Sequence, residues 1–312
     1  MHPALSVIVF TTFSGAGYGL LFLIGILSGT SMLPDDRWFG FFGLGLSLGL
    51  ATLGLLASTF HLGRPERAWR AFSQWRTSWL SREGVLSLVV FLPAGILGIG
   101  WVFYSHVLAW AGWLSAALAA PTIFCTAMIY ASLKPVPRWH NGWVPLNYLL
   151  LGLMTGALLL QALLDLFATP APAFAWFTIA SILAGALGKL GYWRHIDRAR
   201  VISTAESATG LVALGKVRLL EAPHSEENYL MKEMGHRIAR KHAGRLRWIA
   251  LGLGFAGPLA LTVLTLLSPA AVAMIEALLA AVLAMIGVLI ERWLFFAEAK
   301  HSVTLYYGAA AV

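Results

Sequence analysis

The sequence predicts an all-α fold, a polytopic integral membrane bundle of eight transmembrane helices. Three observations carry that prediction. Of the 312 residues 59% are hydrophobic, and the mean hydropathy is +0.76, above the range of soluble domains. The apolar residues fall into eight runs of about 20, the length that crosses a hydrocarbon core of about 30 Å as a helix. Turn chemistry separates the runs, as at Leu33-Pro34-Asp35-Asp36, Lys134-Pro135-Val136-Pro137 and Pro170-Ala171-Pro172.

The first run, about 5–27, is too long for a signal-peptide core and ends without a small-residue cleavage pattern, so it reads as a span. The second covers about 38–60. The third (about 85–104) and fourth (107–131) are separated by Ser105 and His106 alone, which makes them antiparallel neighbours. The same holds for the fifth (144–166) and sixth (171–193), joined through 168–170, and for the seventh (247–267) and eighth (270–297), joined by Ser268 and Pro269. Small residues recur at four-residue spacing at Gly15 and Gly19, Gly25 and Gly29, Gly45 and Gly49, and Gly152 and Gly156. In lipid, such spacing serves close helix packing. The chain therefore reads as a single membrane domain over 1–312 with one long link, about 194–246, between helices six and seven. From Asn228 that link reads as a helix with Leu230, Met234 and Ile238 on one side and Lys232, His236, Arg240 and Lys241 on others. It is expected to lie along the membrane surface, its outer face against a partner.

A net charge of +8 points to nucleic acid in a soluble protein, but here the basic residues lie between spans, where they set topology and meet lipid headgroups. Of the 22 lysines and arginines, 21 belong to the side that holds both termini and the links after helices two, four and six; Arg37 alone lies opposite. That bias predicts cytoplasmic termini. The single cysteine, Cys125, excludes a disulfide within the chain and an iron–sulfur cluster held by the chain itself, so any cluster belongs to a partner. No histidine sits mid-span, so neither a metal site nor a bis-histidine haem is expected.

Charge and aromatic residues concentrate in HLGRPERAWRAFSQWRTSWLSREG, from His61 to Gly84, which holds five arginines and three tryptophans. His61 closes helix two and Glu83 opens helix three. A histidine hydrogen-bonds a quinone carbonyl and relays a proton near neutral pH, and a carboxylate shuttles a second proton. Trp69, Phe72, Trp75 and Trp79 supply an apolar roof for a lipid-soluble carrier. The same residues also suit a rigid interfacial loop in which Ser81 caps a helix and Glu83 occupies its first turn; residue chemistry leaves both readings open. Among ionisable residues in the spans, Asp165, Lys189 and Glu276 are expected to snorkel to the interface. Glu291 and Glu298, two turns apart on one helix face, suit either an ion pair with another helix or a proton path.

His61-Leu62-Gly63-x-Pro65-x-Arg67-Ala68, then Ser78-Trp79-Leu80-Ser81-Arg82-Glu83 and the closing Glu291-Arg292-x-x-Phe295-Phe296, resemble the membrane anchor subunit family of dimethyl sulfoxide reductase, over nearly the whole chain. The resemblance implies a haem-free subunit of a bacterial inner membrane. Its partners would be an iron–sulfur electron-transfer subunit and a molybdopterin catalytic subunit, and its cofactor a quinone, ubiquinone or menaquinone. The chain would carry a quinone redox site without itself catalysing the substrate reaction. By motif, His61 maps onto the family's quinol-site histidine and Glu83 onto its loop carboxylate. Arg64, Trp69 and Trp79 complete the expected pocket, the tryptophans by chemistry rather than motif. The long basic link and a cytoplasmic mouth depart from the dimethyl sulfoxide reductase pattern and suit a sulfite dehydrogenase branch, with electrons passing from sulfite to quinone. The alternatives are a quinol-oxidising anchor for dimethyl sulfoxide or polysulfide reduction, and a transporter. A transporter favours repeated half-bundles and mid-membrane polar residues, and neither is apparent.

Overall fold

The computed structural model describes residues 5–59, 64–169, 171–199, 203–221, 223 and 240–312. Among the described residues, eight helices are long and apolar enough to cross a membrane: Leu5–Leu27, Arg37–Thr59, Trp79–Tyr104, Ala109–Ala131, Trp143–Leu166, Pro172–Arg198, Ala243–Thr265 and Ala270–Ala297. The protein is an all-α, multi-pass membrane bundle; among the described residues, β pairing is confined to one isolated bridge, Thr204 with Ala311.

Two spans outrun their apolar segments. The third starts at Trp79 because Ser78, in extended conformation, accepts a hydrogen bond from the Ser81 N–H at 3.4 Å and so caps the helix. Glu83 consequently lies inside the span, a turn deeper than its apolar run indicates. The sixth continues through a polar last turn to Arg198, where Trp193 and Ile196 remain buried. Two other spans are irregular for reasons of backbone chemistry. The third breaks at Val90, since Pro93 has no N–H to give the Val89 carbonyl. In the seventh, Gly252–Ala256 forms a π turn: the Gly257 N–H reaches back to the Gly252 carbonyl, and Pro258 follows with no N–H to offer.

The first span is the hub, packed against the second, fourth and fifth. Its glycines permit that closeness. A Cβ on Gly17 would stand 2.6 Å from the Ala51 nitrogen on the second span, and one on Gly19 would strike the Gly152 carbonyl on the fifth. Gly15, Gly45 and Gly49 have open space at the same position, so only some of the four-residue pairs serve packing. Each short-linked pair, third with fourth, fifth with sixth and seventh with eighth, packs together. The eighth span also lies against the fifth, which brings its polar end next to the sixth.

Beyond the sixth span a single capped turn, Ala205–Thr209, is held by reciprocal Thr204 and Ser207 bonds. The C-terminal tail pairs with it: the backbones of Ser203 and Val312 bond each other, and the Tyr306 hydroxyl donates to the Ala208 carbonyl at 3.0 Å. Residues 228–239 of the expected surface helix lie outside the described residues. Arg240, at its far end, does not face outward; its guanidinium donates to the Ala297 and Ala299 carbonyls, each at 2.8 Å, at the end of the eighth span.

Candidate functional site

At the basic end of the bundle, residues Pro65–Gln74 form a 3-10 helix that folds onto the start of the third span. Sequence-adjacent polar groups sew the two together. The Ser81 hydroxyl donates to the Ala71 carbonyl. Arg82 donates from its guanidinium to the Trp75 carbonyl at 3.0 Å and to the Arg76 carbonyl at 2.6 Å, while stacking 4.3 Å over the Trp79 ring. Phe72 reaches in against Gly84, where a Cβ would stand 3.1 Å from its ring.

Beneath this cover Glu83 is 4% exposed, and its Oε1 has no hydrogen-bond partner among the described residues. A buried carboxylate oxygen left unpaired is expensive, so its retention calls for a proton, a water or a ligand as partner. From the first span, Tyr18 reaches the next turn of the same helix, where it donates to the Ser87 carbonyl at 3.4 Å.

The other expected pocket residues fall as follows. His61 lies outside the described residues. Arg64 is exposed and precedes the 3-10 helix. Trp69 is 65% exposed and Trp75 54%, each against its neighbouring arginine, whereas Trp79 is half-buried and packs edge-on against Phe124 of the fourth span. Phe72, rather than Trp69 or Trp75, is the aromatic side chain brought up to the Glu83 turn.

A second polar cluster lies between the fifth, sixth and eighth spans. Lys189 forms an ion pair with Glu291, and Arg292 Nη1 approaches the other Glu291 oxygen at 3.6 Å. All three are at most 2% exposed, so Lys189 does not snorkel: it pairs inside the bundle. The Glu291 expectation of an inter-helix ion pair is met. Aromatic faces complete the cage, with Arg292 3.6 Å over the Tyr148 ring and Lys189 4.2 Å over Tyr192. Toward the basic face, two turns further along the eighth span, Glu298 accepts from Arg247 at 3.0 Å, and Arg247 also holds Asp197 through two bonds of 2.6 and 2.9 Å. Asp165 bonds Gln161 at 2.9 Å, and Glu276 accepts from the Ser268 hydroxyl at 3.0 Å, both local contacts.

Sequence reasoning did not single out Tyr148 and Asn147. Tyr148 is buried, and Asn147 bonds the Trp143 and Gly188 carbonyls through its amide nitrogen; among the described residues the Tyr148 hydroxyl and the Asn147 oxygen have no hydrogen-bond partner. Their signal was available: Asn-Tyr at the head of an otherwise apolar run.

Comparison with known proteins bears on the whole chain. Residues 1–308 match the family model described as DMSO reductase anchor subunit (DmsC). A sulfite dehydrogenase subunit of Allochromatium vinosum is 34% identical, with both proteins covered along their full length. Two anaerobic dimethyl sulfoxide reductase chains of Escherichia coli K12 match in part. One is 31% identical over 55% of this protein and 60% of its own length, and the other, YnfH, 31% over 50% and 56%.

Proposed function

Because the chain belongs to the dimethyl sulfoxide reductase anchor subunit family, we propose that it is the membrane subunit through which a cytoplasm-facing molybdopterin and iron–sulfur oxidoreductase passes electrons from sulfite to quinone. Membership of an anchor family implies catalytic and electron-transfer partner subunits. The quinone is held at the basic end of the bundle, near His61 and Glu83. The observation that carries this reading is the Glu83 carboxyl, buried under the folded 65–84 segment with one oxygen unpaired. That oxygen suits the polar rim of a quinone, and the Trp79, Phe124 and Phe72 rings suit its apolar ring system.

A bound quinone supplies two-electron, two-proton chemistry. Glu83 holds a proton at Oε1 where water is excluded, and the Ser81 and Arg82 bonds fix the turn that carries it. His61 offers a second hydrogen bond and a second proton. Arg64, with Arg67 and Arg70, gives the mouth a positive rim that suits an acidic face of an iron–sulfur partner. Full-length similarity to a sulfite dehydrogenase subunit favours sulfite as the donor. The second reading, a quinol-oxidising anchor for dimethyl sulfoxide or polysulfide reduction, draws on the two half-length relatives.

In the assembled complex, His61→Ala and Glu83→Gln should abolish sulfite-to-quinone turnover while artificial-dye reduction by the partner subunits persists. Normal quinone turnover in Glu83→Gln overturns the site, and in His61→Ala the histidine's part in it. Labelling of a cysteine placed in the 65–76 segment by an impermeant reagent added outside intact cells overturns the cytoplasmic placement.

A further inference from the structure

The described part of the 65–84 segment closes over Glu83, which leaves a question the mouth alone does not answer: by what route does a proton reach a carboxyl that is 4% exposed? Among the described residues, the buried polar atoms without a hydrogen-bond partner include Glu83 Oε1, the Tyr148 hydroxyl, Arg292 Nε, Glu291 Oε2 and Glu298 Oε2, which come from the basic ends of the third, fifth and eighth spans. Two narrow gaps lie in this region, and both are lined by Tyr148. One holds Lys189, Glu291, Arg292 and Asn147. The other holds Tyr18, Thr11, Ser14 and Thr126. Tyr148 thus separates a gap lined by ion-paired groups from a gap that ends at Tyr18, whose hydroxyl donates to the Ser87 carbonyl one helical turn along the third span from Glu83.

We propose that these groups form a proton-uptake route: it runs inside the bundle from the Asp197–Arg247–Glu298 surface, through the Lys189–Glu291 pair, to Tyr148 and on to Glu83. The proposal rests on the reading that Glu83 serves a quinone. Asp197 is the outer end, its side chain half-exposed and bridged through Arg247 to the nearly buried Glu298. Tyr192 lines the gap beside Glu291, and its hydroxyl donates to the carbonyl of Arg138, whose guanidinium in turn donates to the Glu298 carbonyl at 2.9 Å. The Tyr148 hydroxyl takes a proton from the Glu291 side and releases its own toward Tyr18, so the tyrosine is unchanged and one proton reaches Glu83 for each taken up outside. Neither gap seats a water at rest, so transfer waits on side-chain movement that admits water transiently. The route begins and ends in the basic half, so it moves no charge across the membrane.

Tyr148→Phe is the deciding variant, because it deletes a hydroxyl with no hydrogen-bond partner among the described residues and keeps the ring under Arg292. In the purified complex in proteoliposomes, with sulfite as donor and a short-chain quinone as acceptor, Tyr148→Phe should lower turnover about tenfold or more and raise the solvent deuterium isotope effect. Dye-linked activity and the melting temperature should not change. Glu291→Asp, which keeps both the acid and the ion pair, should retain most turnover. Wild-type turnover and isotope effect in Tyr148→Phe, beside a slow Glu83→Gln, overturn the route and leave the quinone site standing. Wild-type turnover in Glu83→Gln overturns the quinone site itself.

Discussion

The Lys189–Glu291–Arg292 cluster holds two cations and one anion, and that imbalance predicts which partner the bundle can least do without. Arg292 Nη1 is 3.6 Å from Glu291 Oε2; at an effective dielectric of about 20 the attraction is about 4–5 kcal/mol, and the closer Lys189 contact is at least as strong. Glu291→Gln removes both attractions and leaves two buried cations facing each other, so it should destabilise the protein by about 3–5 kcal/mol. Lys189→Met leaves Glu291 paired with Arg292 and relieves the desolvation of one charge, so it should cost roughly half of that or less. Equilibrium unfolding in mixed micelles of mild detergent and SDS measures both. Equal losses, or a larger loss in Lys189→Met, would refute the charge-balance argument and mean that the lysine–glutamate contact alone holds the three spans together.

The same unfolding measurement applies to the helix contacts. Gly19→Ala, whose Cβ meets the Gly152 carbonyl, should cost about 1–3 kcal/mol, whereas Gly15→Ala, with open space around it, should be silent. Arg247→Ala strands the nearly buried Glu298 and should cost more than Asp197→Ala, which removes only the half-exposed partner; a reversed order would show that the surface bond does the holding. His301 accepts a hydrogen bond from the Val303 N–H at 3.0 Å, and burial holds its pKa below the ordinary histidine range. The unfolded tail therefore binds more protons in acid, so tail docking is fully present above about pH 6.5, the unfolded value, and weakens as pH falls through it toward the lower folded one. Amide exchange across Ser302–Tyr307, taken relative to His301→Gln, should lose protection on acidification; pH-independent protection would contradict the assignment.

Why the fold was legible and the buried cluster was not comes down to what each depends on. Span number and order follow from runs of apolar residues, a property of the chain that no partner helix alters, and all eight helices lie where those runs are. Their ends depend on capping, so Ser78 moved the third start to Trp79 and carried Glu83 inward. Burial depends on packing as well, as Lys189 shows. Judged from an apolar run that stops near residue 193, it stands about one turn from the helix end, within reach of headgroups. The added turn to Arg198 is polar and leaves that depth unchanged, but Lys189 is 1% exposed, enclosed by the fifth and eighth spans rather than facing headgroups. A cation so enclosed needs an anion from another helix, and the one it finds is 102 residues away in sequence. Glu291 announced its need for a partner in the sequence; which partner, and that the Tyr148 hydroxyl beside it would find none among the described residues, follows only from how the fifth, sixth and eighth spans pack. The candidate site divides the same way: motif and chemistry pointed to the Glu83 carboxyl, while the closure above it and the polar groups behind it are properties of the assembled bundle.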